Sequence, residues 1–186
     1  MSKLLLAIIA ILTLASCTHV IATNYPGQAK TELPSSWKGT YSGKLPGYLQ
    51  MFGGGADSSN SEIVIGHNFI IWTTPTSVSH YSTADSLKFS ELNGHRYISL
   101  HNSHDQYTVF RVKQTKTGLE LFGLTIDDDI EKEKLEPYFK KVELATSDDE
   151  ETGIKLFQVT IDDKKLDSYY SSGLPSKEPM ILTRKK

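Results

Sequence analysis

The chain has 186 residues, with 20 basic against 22 acidic side chains and a formal net charge of −2. It therefore has no excess of cations with which to neutralise a phosphate backbone, and nucleic acid is excluded as a partner. Seven Phe, nine Tyr and two Trp supply the large apolar side chains that a disordered composition lacks.

Met1-Ser2-Lys3 precede an apolar run from Leu4 to Leu14, broken only by Thr13, and the run closes on Ala15, Ser16 and Cys17. One positive charge, a short apolar stretch and small residues at its end make a secretory signal, whereas spanning a bilayer needs roughly 18 or more apolar residues. Cys17 is the only cysteine, so a disulfide within the chain is impossible. Leu14-Ala15-Ser16-Cys17 resembles the lipobox of bacterial lipoproteins. The resemblance implies cleavage before Cys17, a diacylglyceryl group on its thiol and often an acyl chain on the freed amine. The partner is then a membrane, reached through acyl chains on Cys17; two or more chains anchor stably where one binds reversibly. Thr18 stands where lipoproteins kept in the inner membrane usually carry Asp. The resemblance thus places the chain in a bacterial cell envelope, at the outer membrane where there are two.

With residues 1–16 read as signal peptide, residues 17–35 read as a tether, because Pro26, Gly27, Pro34 and small polar residues interrupt any sustained period. As a flexible coil such a segment reaches about 25 Å. Residues 36–186 then form one domain of ordinary size.

From Ser36 the chain reads as short β-type runs separated by turn chemistry. Trp37 to Lys44 is the first candidate strand, followed by a loop at Gly53-Gly54-Gly55-Ala56-Asp57-Ser58-Ser59-Asn60. Glu62 to Ile65 and Phe69 to Trp72 flank Gly66-His67-Asn68, two β-branched and aromatic runs about a tight turn. Leu87 to Leu92 and His95 to Leu100 flank Asn93-Gly94, the pair that supplies positive φ at both centres of a type I′ turn. Tyr107 to Gln114 and Leu119 to Ile126 flank Thr115-Lys116-Thr117-Gly118, a third hairpin. An inward-facing set of Ile63, Ile65, Phe69, Ile71, Trp72, Phe110, Phe122 and Phe157 would fill a barrel.

The C-terminal third repeats itself. Residues 117–128 align with 152–163 at a period of 35, with eight of twelve positions identical. In each copy a Gly opens an apolar run that ends at paired aspartates, and a helix-compatible stretch follows. The strand–helix units near 117–136 and 152–172 thus predict helices at Ile130 to Glu136 and Lys164 to Ser172, stopped near Pro137 and Gly173. Two copies are too few for a solenoid.

Chemistry-bearing motifs are sparse. His101-x-x-His104-Asp105 has metal-like residue types, but positions three apart on a strand face opposite sides, so a polar loop is the better reading. Asp127-Asp128-Asp129 with Glu131 lacks EF-hand spacing and suits helix capping. Gly53-Gly54-Gly55 has no Lys-Ser/Thr pair to complete a phosphate loop. No G-x-S-x-G elbow occurs, and the sole cysteine is committed to lipid. No catalytic residue, metal or cofactor is expected.

Trp37-Lys38-Gly39-Thr40-Tyr41 near the domain start and Ile181-Leu182-Thr183-Arg184 at its end resemble the lipocalin or calycin-like barrels, in which a first-strand Trp packs beneath an Arg of the last strand. The resemblance extends in pattern over most of residues 36–186, to lipocalin-like small lipoproteins of Gram-negative bacteria whose function is uncharacterised. Lipocalins usually carry Gly two residues before the Trp, whereas here Ser35 precedes it and Gly39 follows. The resemblance implies a mainly β fold, an antiparallel lipocalin-like barrel or strongly curved sheet with one or two short helices across an opening. It also implies a structural, barrel-closing role for Trp37 and Arg184 through a cation–π contact. The leading functional expectation is a non-enzymatic module binding a small apolar or amphipathic ligand. The alternative is an envelope protein–protein interaction module with a filled barrel, and the third class a periplasmic hydrolase.

Overall fold

The computed structural model describes residues 18–44, 61–74, 77–102, 105–126, 130–145, 155–176 and 178–186. Cys17, the Gly53-Gly54-Gly55 loop, His104 and Asp127-Asp128-Asp129 lie outside these residues. The fold is mainly β: one curled, largely antiparallel sheet forms a half-barrel with very little helix.

The strands are β1 (Thr18–Ala22), β2 (Gln28–Lys30), β3 (Gly39–Lys44), β4 (Ser61–Ile65), β5 (Phe69–Thr73), β6 (Val78–Ser82), β7 (Leu87–Leu92), β8 (His95–His101), β9 (Tyr107–Gln114), β10 (Gly118–Gly123), β11 (Phe139–Ala145), β12 (Lys155–Ile161) and β13 (Met180–Arg184). The only α-helix among the described residues is α1 (Leu166–Ser171). The half-barrel follows the path β6-β5-β4-β3-β13-β10-β9-β8-β7-β2, so β3 and the last strand β13 are neighbours. A second unit, β11-β12-β1, joins the sheet at the start of β9 through Ala22 and Tyr107.

The local readings of the turns match the backbone. Asn93 and Gly94 both have positive φ, 51° and 80°, and Leu92 faces His95 across a two-residue turn. The hairpin twist demands this conformation, and an Asn-Gly pair adopts it at little cost. The β4–β5 and β9–β10 hairpins close with Gly66 N–H donating to the Phe69 carbonyl and Thr115 N–H donating to the Gly118 carbonyl, both 2.9 Å.

Two hydrophobic cores share one wall. The barrel core holds Trp37, Tyr41, Ile63, Ile65, Ile70, Leu87, Phe89, Ile98, Leu100, Phe110 and Leu121, among others. The second core lies between the outer face of β8 and β9 and the β11-β12-β1 unit, with Tyr97, Val109, Leu124, Phe139, Phe157, Val159, Leu166 and Tyr169. Tyr97, Ile98, Ser99 and Leu100 are consequently all buried, although strand geometry sends alternate residues to opposite faces. Strands covered on both faces lose the apolar–polar alternation of a solvated sheet.

Several expectations need correction. The run Trp37 to Lys44 is not one strand: Ser35–Trp37 form a 3₁₀ turn, and β3 begins at Gly39. On β5 the inward residues are Ile70 and Trp72, not Phe69 and Ile71, because Ile70 pairs with Ile65 and Trp72 with Ile63. Phe69 instead stacks on His80, ring centroids 5.7 Å apart. Phe157 belongs to the second core. Of the two predicted helices, Ile130 to Glu136 contributes only a 3₁₀ turn at Lys132–Lys134, while the second becomes α1. The two repeat strands are β10 in the half-barrel and β12 in the second unit; the segment after β10 reaches the second core through Leu124 and Ile126, and the end of β12 and the helix after it do so through Ile161 and Leu166.

The tether is the largest correction. Residues 18–35 belong to the fold: β1 pairs in parallel with β12 from Thr18–Lys155 through Ala22–Val159, and Val20, Ile21 and Ala22 are buried. Asn24 then clamps Ile161, accepting from its N–H at 2.7 Å and donating to its carbonyl at 3.4 Å. β2 lies on β7, and Leu33 N–H donates to the His67 carbonyl at 2.9 Å. The apolar side chains of β1 complete the second core, and that burial outweighs the turn-forming character of the residues that follow it.

Candidate functional site

Three places bear on function: the barrel interior, the Trp37–Arg184 end, and strand β1 with the unit it joins.

Among the described residues the barrel interior is lined by apolar side chains. Between Ile63, Ile70, Trp72, Ile98, Phe110 and Leu121 these described walls enclose a cavity of about 20 Å³, against the roughly 300–1,000 Å³ of sites that hold drug-sized ligands. Helix α1 does not cover this interior as a lid; its Leu166 and Tyr169 pack into the second core.

At the Trp37 end the geometry departs from the direct Trp–Arg stack that the resemblance implies. The cation over the Trp37 ring is Arg96, 5.8 Å from the centroid, while Arg184 lies 5.4 Å from the Tyr41 ring. Arg184 Nη2 donates to the Ser36 carbonyl at 2.5 Å and to the Tyr41 hydroxyl at 2.8 Å, and that hydroxyl donates to the Trp37 carbonyl at 2.6 Å. Arg184 thus reaches Trp37 through Tyr41 and the backbone. The Trp37 ring is instead fixed by Phe89, edge to face at 5.4 Å. Beside this network a polar recess of about 80 Å³ lies between Ser36, Gln114, Thr117 and Arg184, room for a few waters.

Around α1 a polar cluster faces the tip of the β7–β8 hairpin. Tyr97 hydroxyl donates to Asp167 at 3.3 Å, Asn93 donates to the same carboxylate at 3.0 Å, and His95 approaches it at 3.7 Å. Arg111 stacks 4.2 Å from the Tyr170 ring. Tyr169 and Tyr170 donate to the carbonyls of Leu124 and Phe122. Burial holds Tyr97, Tyr169 and Tyr170 well above the usual tyrosine range, with the Asp167 charge adding to it at Tyr97. These phenols stay protonated and serve as donors that fasten the helix, not as bases or nucleophiles. Of the metal-like motif, His101 packs against the Tyr107 ring, centroids 5.1 Å apart.

On β1, His19 is 4% exposed, and burial holds its imidazole below the ordinary value of 6.5. The folded chain therefore keeps His19 neutral while the unfolded chain takes up a proton near pH 6.5. Stability from this residue is fully present above about pH 6.5 and is lost as the pH falls through the lower folded-state value. The urea midpoint is expected to decline below about pH 6.5, and His19→Gln to flatten that decline relative to the parent chain. Parallel pH profiles of parent and variant would contradict this assignment.

Sequence reasoning missed β1 and Arg96. A signal for β1 was present in the β-branched pair Val20-Ile21 next to a small residue. None existed for Arg96, whose approach to Trp37 depends on how β8 curls past the 3₁₀ turn. No family model, curated protein or solved structure matches this chain.

Proposed function

We propose that the chain is a lipid-anchored lipoprotein of the bacterial cell envelope, mature from Cys17 and held at the outer membrane, whose lipocalin-like half-barrel works as a non-enzymatic docking module for another envelope component. The observation that supports the docking reading is the tight packing between the described walls, where the cavity among Ile63, Ile70, Trp72, Ile98, Phe110 and Leu121 is about 20 Å³. A small apolar ligand, the leading expectation from sequence, becomes the lesser reading on the same ground. The anchor reading rests on Leu14-Ala15-Ser16-Cys17 and on the single cysteine. Among the described residues, no helix is long and apolar enough to cross a membrane.

The anchor is tested by Cys17→Ala in cells fed radiolabelled palmitate. The parent is expected to carry label and to stay in the membrane fraction after a high-salt wash. The variant should lose the label and be either unanchored or left uncleaved with its apolar leader, because acyl chains contribute about 0.8 kcal/mol per buried methylene and the cysteine that carries them is gone. A variant that keeps label and membrane association would overturn the lipoprotein reading. Native mass spectrometry of the envelope-extracted parent separates the two binding readings, since a co-purifying protein supports docking and an added mass of a few hundred daltons supports a ligand.

A further inference from the structure

The lost tether has a spatial consequence. β1 starts at Thr18, and consecutive Cα atoms are about 3.8 Å apart, so the acylated cysteine is bound directly to the first residue of a strand in the sheet. That strand has no slack to release: five parallel pairs hold it to β12, its Val20, Ile21 and Ala22 are buried, and the Asn24 clamp closes its far end. Resting on the lipid-anchor reading of Cys17, we infer that the Thr18 end of the β11-β12-β1 unit is seated on the lipid surface itself, which gives the whole domain one fixed orientation on the membrane.

The register states which residues form the seated rim. Thr18 aligns with Lys155, and His19 with Leu156, which in turn faces Ala145. The end of β11 is therefore level with the start of β1, while Phe139 and Lys140 lie at the opposite end. One residue in from the rim, Leu144 is 56% exposed, one of the few large hydrophobics left open among the described residues. It lies on the same face as the buried Val142 and opposite Phe157, so the apolar face of the second core runs on past its cover toward the rim. A headgroup interface accepts such a side chain more readily than water does.

The charges fit a zwitterionic surface. The Lys155 ammonium donates to the Glu131 carboxylate at 2.9 Å, which neutralises the cation nearest the rim.

The test uses the full lipidated chain in phosphatidylcholine vesicles doped with a headgroup-nitroxide lipid. With the native cysteine acylated, Ala145→Cys and Lys140→Cys each offer one thiol for a fluorophore. These positions are about 16 Å apart along one strand. Quenching is expected to be roughly twofold or more greater at 145 than at 140. Inserting ten Gly/Ser residues between Cys17 and Thr18 restores a reach of about 17 Å and should erase that difference. Equal quenching at the two positions in a palmitate-labelled parent, or a difference that survives the insertion, would overturn the seating and leave the anchor standing. A chain with no palmitate label would overturn the anchor itself.

Discussion

Trp37→Ala is expected to lower folding stability by about 3–5 kcal/mol, the range for removing a large aromatic from a packed core. Trp37 is 0% exposed, meets Phe89 edge to face and plugs the barrel end where the 3₁₀ turn enters β3. The Arg96 contact adds little to this figure, because its guanidinium is also paired with Glu91 and is 40% exposed; such a cation–π contact is worth about 0.5–1 kcal/mol. Burial and shape thus outweigh charge at this site. The indole N–H has no hydrogen-bond partner among the described residues, and an unmade buried donor costs about 1–3 kcal/mol. Trp37→Phe removes that donor with part of the volume and is expected to cost well under half of the alanine loss. Urea unfolding of both variants checks this ordering. A phenylalanine variant as unstable as the alanine one would mean that the indole N–H is satisfied and important.

Gly118→Ala is expected to cost about 3 kcal/mol or more, at the upper end of overpacking effects. A Cβ at this position would sit 1.8 Å from the Leu182 carbonyl oxygen and 2.9 Å from its carbon, so the obstacle is backbone in the adjacent strand and no rotamer change relieves it. Relief requires β10 to part from β13, and that pairing is what brings the last strand onto β3. The control is Gly94→Ala. Its Cβ would meet nothing within 4 Å, so only the strain of φ 80° is added, about 1 kcal/mol. A thermal-melt series with Gly118→Ala no worse than Gly94→Ala would contradict the close strand approach.

What the sequence made legible follows the range of the interactions involved. Asn93-Gly94 declared its turn because two adjacent residues decide the backbone there. The strands around Ile63, Phe110 and Leu119 were readable from β-branched and aromatic runs between turn residues. Strand β1 was not, because its partner β12 is more than a hundred residues away and five residues followed by Pro26-Gly27 resemble a linker. The face choice on β5 failed for a similar reason: Phe69-Ile70-Ile71-Trp72 is apolar throughout, and only pairing with Ile63 and Ile65 selects Ile70. The second predicted helix survives because Leu166 and Tyr169, three apart, share one buried side. The first has only Ile130 and Leu135 to bury before Pro137 ends it. Trp37 was recognisable as a core aromatic and Arg184 as its strand neighbour's cation, but the choice between Arg96 and Arg184 over the ring is made by sheet curvature.

Because β8 and β9 are buried on both faces, the two cores are joined by a common partition. Loosening the β11-β12-β1 unit strips cover from Tyr97 and Val109, while opening the half-barrel exposes Ile98 and Phe110 on the same strands. Both halves pack on this shared wall, so partial opening of one exposes surface that the other depends on. Such coupling makes denaturation a single cooperative event and leaves the amides of β8 and β9 among the last to exchange with solvent deuterium, whichever half begins to melt.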